Sequence, residues 1–128
     1  MTSKLHDQGL AMRKQVLGAA HVEQTLAAAD KYTQPLQEIV NEYVWGAVWT
    51  RPGLPPRERS MITISMLTAL NRPAELRTHI SAALTNGVTR DEIKEVLVQV
   101  GAYCGIPAAL EAFKIATEVF READEKKG

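Results

Sequence analysis

Thr89-Arg90-Asp91-Glu92-Ile93-Lys94-Glu95-Val96-Leu97-Val98-Gln99-Val100-Gly101-Ala102-Tyr103-Cys104-Gly105-Ile106-Pro107 admits two backbone conformations. Its centre, Val96 to Val100, is rich in β-branched residues that suit a strand. Its flanks suit a helix. Thr89 and Glu92 have the spacing of a capping box, in which each side chain satisfies the other's backbone N–H. Ile93, Val96, Leu97 and Val100 then recur at the spacing of one helix face. Gly105 and Pro107 end the run, one by tolerating a left-handed backbone and the other by lacking an N–H. A capped helical period outweighs the local β preference, and with it the chain loses its most convincing candidate for a strand.

The same punctuation divides the rest of the chain into helix-length pieces. Upstream, Asn71 and Pro73 open a helix that runs to Asn86 and stops at Gly87. Before it, Arg57 to Leu70 is apolar on most sides (Met61, Ile62, Ile64, Met66, Leu67, Leu70), the pattern of a central buried helix. Trp49-Thr50-Arg51-Pro52-Gly53-Leu54-Pro55-Pro56 forms a loop, since its prolines and glycine forbid a continuous helix. Thr33 as N-cap and Pro35 in the first turn start a helix with Leu36, Ile39, Val40 and Tyr43 at helical spacing. A short piece covers about His21 to Ala29. The first helix carries an apolar stripe of Met12, Val16 and Leu17 and ends at Gly18. Downstream, a last helix runs from about Ala108 to Ala123, with a frayed tail over Asp124 to Gly128. The expected architecture is all-α, in a single domain over residues 1–128.

Composition excludes several classes. The chain has 15 basic and 15 acidic residues, so no basic footprint points to nucleic acid. No polybasic cluster suits a membrane surface, and no apolar run approaches the roughly 20 residues of a membrane span. Met1 to Gln8 lacks the apolar stretch of a signal peptide. Cys104 is the one cysteine, which rules out an internal disulfide or a Cys-x-x-Cys pair and suits a reducing, cytoplasmic setting. There is no phosphate-cradling glycine loop and no His-x-x-x-His pair, so neither a nucleotide cofactor nor a metal is expected.

One local constellation suggests chemistry. Arg72, Glu75 and His79 are spaced by three and four, which places them on one helix face. Arg72 and Glu75 lie in the first turn, where unpaired N–H groups and the helix dipole favour an anion. A carboxylate substrate can dock there, with His79 one turn further on to move a proton. The plain alternative is an exposed ladder of ion pairs. Trp45 and Trp49, four apart, read as packing residues, and Cys104 as a small buried hydrophobe.

Two strings are more specific. Trp45-Gly46-Ala47-Val48-Trp49-Thr50-Arg51-Pro52-Gly53-Leu54 and Tyr103-Cys104-Gly105-Ile106-Pro107-Ala108-Ala109 resemble the carboxymuconolactone decarboxylase family. So do His21-Val22, Arg59-Ser60, Ala69-Leu70-Asn71-Arg72, Glu75-Leu76, His79, Asn86-Gly87-Val88-Thr89, Glu92-Ile93 and Glu95-Val96. The likeness runs from about Gly9 to Phe120. It implies the alkylhydroperoxidase D-like fold of six to seven helices, assembled as a homohexamer. The peroxidase branch of that superfamily carries Cys-x-x-Cys-x-x-x-His at the helix containing His79. Here Arg72 and Glu75 hold the two cysteine places, which argues against thiol peroxidase chemistry.

The activity implied is cofactor-free decarboxylation of 4-carboxymuconolactone to the β-ketoadipate enol-lactone, a step of protocatechuate catabolism. The lactone is its own electron sink. By the resemblance, His79 donates the proton or stabilises the oxyanion, and Glu75 orients it or shares the proton transfer. Arg51 or Arg72 holds a substrate carboxylate through its guanidinium fork. His21, Trp45 and Tyr103 line the pocket. A carboxylate beside Arg72 in a first helical turn suits a base or orienting group better than an acid. The chain departs from the family at two places, with Ser81 where Arg is usual and Leu110 where Asn is usual. These leave open a paralogue that hydrolyses or isomerises a related lactone or carboxylate, or a non-catalytic oligomer that binds a small acid.

Overall fold

The computed structural model describes residues 3–127. Among these, seven α-helices and one π-helix account for the regular structure, and no strand occurs. The helices are α1 (Lys4–Leu17), α2 (Ala19–Ala27), α3 (Gln34–Ile39), the π-helix (Val40–Trp49), α4 (Pro56–Ala69), α5 (Pro73–Thr85), α6 (Arg90–Cys104) and α7 (Ile106–Lys127). Their contacts fall into two compact units, Met1–Pro56 and Arg57–Gly128.

In the first unit α1 packs along the π-helix. Its buried residues are Gly9, Arg13 and Val16, spaced i, i+4 and i+7. Met12 and Leu17 flank this line half-buried, so the true stripe runs through a charged residue that the apolar pattern skips. Glycine at position 9 is required by proximity: a Cβ there would fall 1.8 Å from the Asn41 carbonyl oxygen. Gly46 answers it from the π-helix, where a Cβ would lie 2.5 Å from the Leu5 carbonyl oxygen. Trp45 and Trp49 are buried and stack with ring centroids 4.7 Å apart.

The π-helix is the main departure from the expected pattern. Leu36, Ile39 and Tyr43, expected on a core face, are 58–63% exposed. The buried side of the segment is Asn41, Trp45, Gly46 and Trp49. Leu36 and Ile39 lie in α3, which buries no residue. From Val40 on, a helix closing i→i+5 bonds carries more residues per turn, so a face computed at 3.6 residues per turn, Tyr43 included, drifts off the buried side. The turn before α3 also differs in detail. Asp30 Oδ1 accepts from the Tyr32 and Thr33 N–H groups, and the Thr33 hydroxyl caps the Asp30 N–H rather than α3.

The second unit holds a core of Ile64, Leu76, Ile80, Ala83, Val88, Ile93, Leu97, Ala112, Ile115, Ala116 and Val119, with α5 and α6 both packed on α7. Helix α4 is less central than its composition predicts. Only Ser60, Ile64 and Thr68 are buried, while Ile62, Met66 and Leu70 are exposed. Its apolar residues cover two faces and this unit uses one. At the far end α7 remains helical through Lys127, beyond the expected stop at Ala123. Asp124 accepts two hydrogen bonds from Arg90, at 2.6 and 3.2 Å, and Arg90 also lies 4.9 Å over the Phe120 ring. That anchor holds the tail that composition alone reads as frayed. Gly128, and Met1 and Thr2 of the polar N-terminal stretch, lie outside the described residues.

Three helix ends explain how α5 is placed. Asn71 adopts φ +58°, the Arg72 N–H donates to the Leu67 carbonyl at 2.9 Å and the Asn71 N–H to Thr68 at 3.2 Å. This is a Schellman closure with asparagine in the left-handed position. Gly87 (φ +91°) closes α5 in the same way, with the Val88 N–H on Ala83 at 2.9 Å. The capping box of α6 is formed in both directions, Thr89 N–H to Glu92 Oε1 at 2.9 Å and Glu92 N–H to Thr89 Oγ1 at 3.1 Å. Asn71→Val forces a β-branched residue into the left-handed region, costing about 1–2 kcal/mol. Urea denaturation should show that loss, while Asn71→Gly stays within about 0.5 kcal/mol of wild type.

Glu92 also pairs with Arg57. The backbone hydrogen bond from Thr89, followed by the bond from Arg57, holds its carboxyl at about 2, well below the usual carboxylate value. Linkage sets the sign. A group depressed in the folded state adds stability that is present above its unfolded value and is lost as pH falls through the folded one. The melting temperature should therefore drop between pH 4.5 and 2, and Glu92→Gln should flatten that drop. An identical acid profile in the variant would contradict the assignment.

Candidate active site

The residues singled out from sequence divide between the two units. His21, Trp45 and Arg51 belong to the first, and Arg72, Glu75, His79 and Tyr103 to the second.

In the second unit the Schellman closure fixes where α5 begins. Pro73 supplies the preset φ of a first helical residue, and Arg72 becomes the N-cap with no side-chain cap bond. The N–H groups of the first turn are thus left without a capping side chain. Glu75 is exposed in that turn. His79 is one turn further on, half-buried, with Nδ1 sealed from solvent. It stands between the buried Leu76 and Ile80 and the exposed Ser81, at the border of the core.

Arg72 does not pair with Glu75. Its Nη1 donates to the carbonyls of Leu70 at 3.0 Å and Asn71 at 3.4 Å, capping the end of α4. The Arg72–Glu75 rung of the ion-pair ladder offered by the spacing is therefore not formed. The Nε and Nη2 edge of the guanidinium engages no partner among the described residues, which leaves half the fork for a ligand.

Tyr103 is 83% exposed in the last turn of α6. With Cys104 it borders an apolar groove of about 650 Å³ lined by Met61, Ile62, Met66 and Val96. Neither His79 nor Glu75 lines that groove. Cys104 is exposed, not buried as expected, because α6 ends at Gly105 (φ +117°) and its last turn projects from the core.

In the first unit the π-helix carries Trp45 in the interior, and Arg51 stands just past its end. The Thr50 hydroxyl donates back to the Gly46 carbonyl at 2.5 Å, and the Arg51 N–H to Val48 at 3.1 Å. These bonds fix the backbone from which the exposed Arg51 side chain extends. His21 is exposed on α2, its carbonyl accepting from the Thr25 hydroxyl. The sequence pattern does not single out Arg13, which is 6% exposed and donates to Gln37 and Asn41. The signal available was the Gly9, Arg13, Val16 spacing, which a search for apolar residues passes over.

Among the described residues no three His, Cys, Asp or Glu side chains gather to hold a metal ion, and no helix is long and apolar enough to cross a membrane.

The model of the Carboxymuconolactone decarboxylase family matches residues 34–118, from the start of α3 well into α7. The chain belongs to that family. It is 44% identical to 4-carboxymuconolactone decarboxylase of Acinetobacter baylyi, over 91% of this chain and 87% of the relative. It is 37% identical to nitrosuccinic acid decarboxylase npaB of Metarhizium robertsii, over 96% of this chain and 86% of the relative. An uncharacterized 15.0 kDa protein in the nqo9-nqo10 intergenic region of Paracoccus denitrificans is 32% identical over 79% of this chain. The likeness read from the Trp-Thr-Arg-Pro-Gly-Leu and Tyr-Cys-Gly-Ile-Pro-Ala-Ala strings is thereby borne out at the level of the carboxymuconolactone decarboxylase family.

Proposed function

We propose that this protein is a carboxy-lyase that converts 4-carboxymuconolactone to the β-ketoadipate enol-lactone without a cofactor, in protocatechuate catabolism. The observation that carries this reading is the 44% identity with 4-carboxymuconolactone decarboxylase along nearly the whole of both chains. The chemistry asks little of the protein. As the C–C bond to the departing carboxylate breaks, its electron pair moves through the ring double bond onto the lactone carbonyl. CO2 leaves, an enolate forms, and a proton returns to the carbon beside the carbonyl. The enzyme must anchor the carboxylates, stabilise the oxyanion and supply that proton.

His79 supplies the proton or a hydrogen bond to the enolate oxygen, and Glu75, four residues earlier on α5, orients it. Arg72 takes a carboxylate on its open Nε and Nη2 edge, supported by the uncapped first turn of α5. Arg51 holds the second carboxylate. His21, Trp45 and Tyr103 shape the pocket in this reading. The exposed apolar residues Leu36, Ile39 and Tyr43 of the first unit, and Met66, Ile106 and Leu110 of the second, favour a homo-oligomer, a hexamer by family likeness. A single exposed thiol suits the reducing cytoplasm.

A second reading has a specific observation behind it. Nitrosuccinate also pairs two carboxylates with an electron sink, its nitro group, and the decarboxylase named for it is 37% identical to this chain. Ser81 and Leu110 replace an arginine and an asparagine that the resemblance leads one to expect, and both are exposed here. Loss of a charged hydrogen bond, worth about 1.5–3 kcal/mol, is enough to shift preference between such acids. Purified protein should release one CO2 per 4-carboxymuconolactone, with the enol-lactone as product. Release only from nitrosuccinate would select the second reading, lactone loss without CO2 would select a hydrolase or isomerase, and acid binding without turnover would select a non-catalytic oligomer. Light scattering of the same sample tests the assembly.

A further inference from the structure

Arg13 is buried in α1, yet it has no carboxylate within ion-pair distance among the described residues. Buried charges are ordinarily paired, because desolvation is costly. Burial accordingly lowers the pKa of this guanidinium from the usual arginine value. Both partners that it finds are neutral. Nη1 donates to Gln37 Oε1 at 2.9 Å and to Asn41 Oδ1 at 2.8 Å. Gln37 lies in α3, and Asn41 is the second residue of the π-helix. One nitrogen therefore ties together the two sides of the point where i→i+4 bonding gives way to i→i+5.

That junction sets the register of every later residue in the segment. A π-helix is usually a single-turn bulge, whereas this one has ten residues. If the segment relaxed to an α-helix, every residue beyond the junction would move along and around the axis. The tryptophan pair records the register. Trp45 and Trp49, both buried and stacked at 4.7 Å within the segment, would change their angular offset about the helix axis if i→i+5 bonding gave way to i→i+4. Arg51 lies two residues past Trp49. Helix α1 reaches the same place by a second route, since Gly9 lies against the Asn41 carbonyl.

We propose that Arg13 is a positioning residue for substrate binding: by bridging Gln37 and Asn41 it holds the π-helical register that presents Arg51. The inference rests on the reading in which Arg51 takes a substrate carboxylate. It adds a residue that never meets substrate yet sets its affinity.

The test uses the full-length protein with 4-carboxymuconolactone, and circular dichroism of the only two tryptophans in the chain. Stacked indoles give an exciton couplet, and that couplet reports the register independently of activity. Arg13→Met, with helical content retained, should lose at least about half of the couplet. It should raise KM about tenfold while kcat stays within about threefold, in keeping with the loss of a charge-assisted contact. Arg13→Lys keeps a donor and should recover part of both. Arg51→Ala should raise KM and leave the couplet intact. A folded Arg13→Met protein with the wild-type couplet and KM, beside an Arg51→Ala protein with raised KM, overturns the proposal. Should Arg51→Ala leave KM unchanged, the carboxylate-anchor reading fails instead, and an unchanged couplet in Arg13→Met still overturns the register claim. If Arg13→Met does not fold, Gln37→Leu removes one arm of the bridge at a half-buried site, and a wild-type couplet and KM there overturn it equally.

Discussion

Replacing His79 with alanine should lower kcat for CO2 release from 4-carboxymuconolactone by about 10²- to 10⁴-fold, the usual worth of the positioned proton donor it is proposed to be. KM should change little, because the imidazole acts on charge that develops only as CO2 departs. The position of the residue sharpens the expectation. The ring is half-buried with its Nδ1 sealed from solvent, on a helix whose Leu76 and Ile80 are buried, so burial restricts the orientations open to it. Preorganisation of that kind is what makes a hydrogen bond to an oxyanion effective. Truncation also removes packing at the edge of the core, so the comparison belongs well below the melting temperature, with helical content checked. Added imidazole should restore part of the rate if the cavity admits it. A folded His79→Ala protein with a wild-type kcat would remove His79 from the mechanism and leave the family assignment untouched.

Gly9→Ala should be among the most damaging single substitutions away from His79. The new methyl would sit 1.8 Å from the Asn41 carbonyl oxygen and 2.7 Å from the Gly46 nitrogen, both backbone atoms that cannot swing aside. Helix α1 and the π-helix would have to part. Overpacking a rigid contact costs about 1–3 kcal/mol and occasionally more, and this contact belongs at or above the upper end. Chemical denaturation followed by far-ultraviolet circular dichroism measures it. Gly53→Ala provides the control: no atom lies within 4 Å of its added Cβ, so it should remain within about 0.5 kcal/mol of wild type. Equal stability of the two variants would mean that α1 and the π-helix are not in close contact.

The contrast between the halves of the chain shows what a sequence can disclose. In the second unit nearly every boundary is announced by a residue with one structural use. Asn71 and Gly87 take positive φ, Pro73 starts a helix, and Thr89 and Glu92 cap each other. Such signals are local, so they survive in a string of letters. In the first unit the governing facts are distances between segments. The closeness of Gly9 to Asn41, and the wider turn that places Trp45 and not Tyr43 in the interior, have no signature at 3.6-residue spacing. A charge at the centre of the buried stripe hid it further. The candidate site shows the same division. The four-residue step from Glu75 to His79 is legible because both lie on one regular helix. That Arg72 turns to the Leu70 and Asn71 carbonyls could not be read, because it depends on the left-handed bend before it.

Cys104 gives the chain a single sulfhydryl, and it stands in the open at the end of α6. One thiol per polypeptide offers one valence for oxidative cross-linking, so air oxidation can join chains in twos and no further. A non-reducing gel of aged protein should therefore show a discrete double-mass band and no ladder, however many subunits assemble without covalent links.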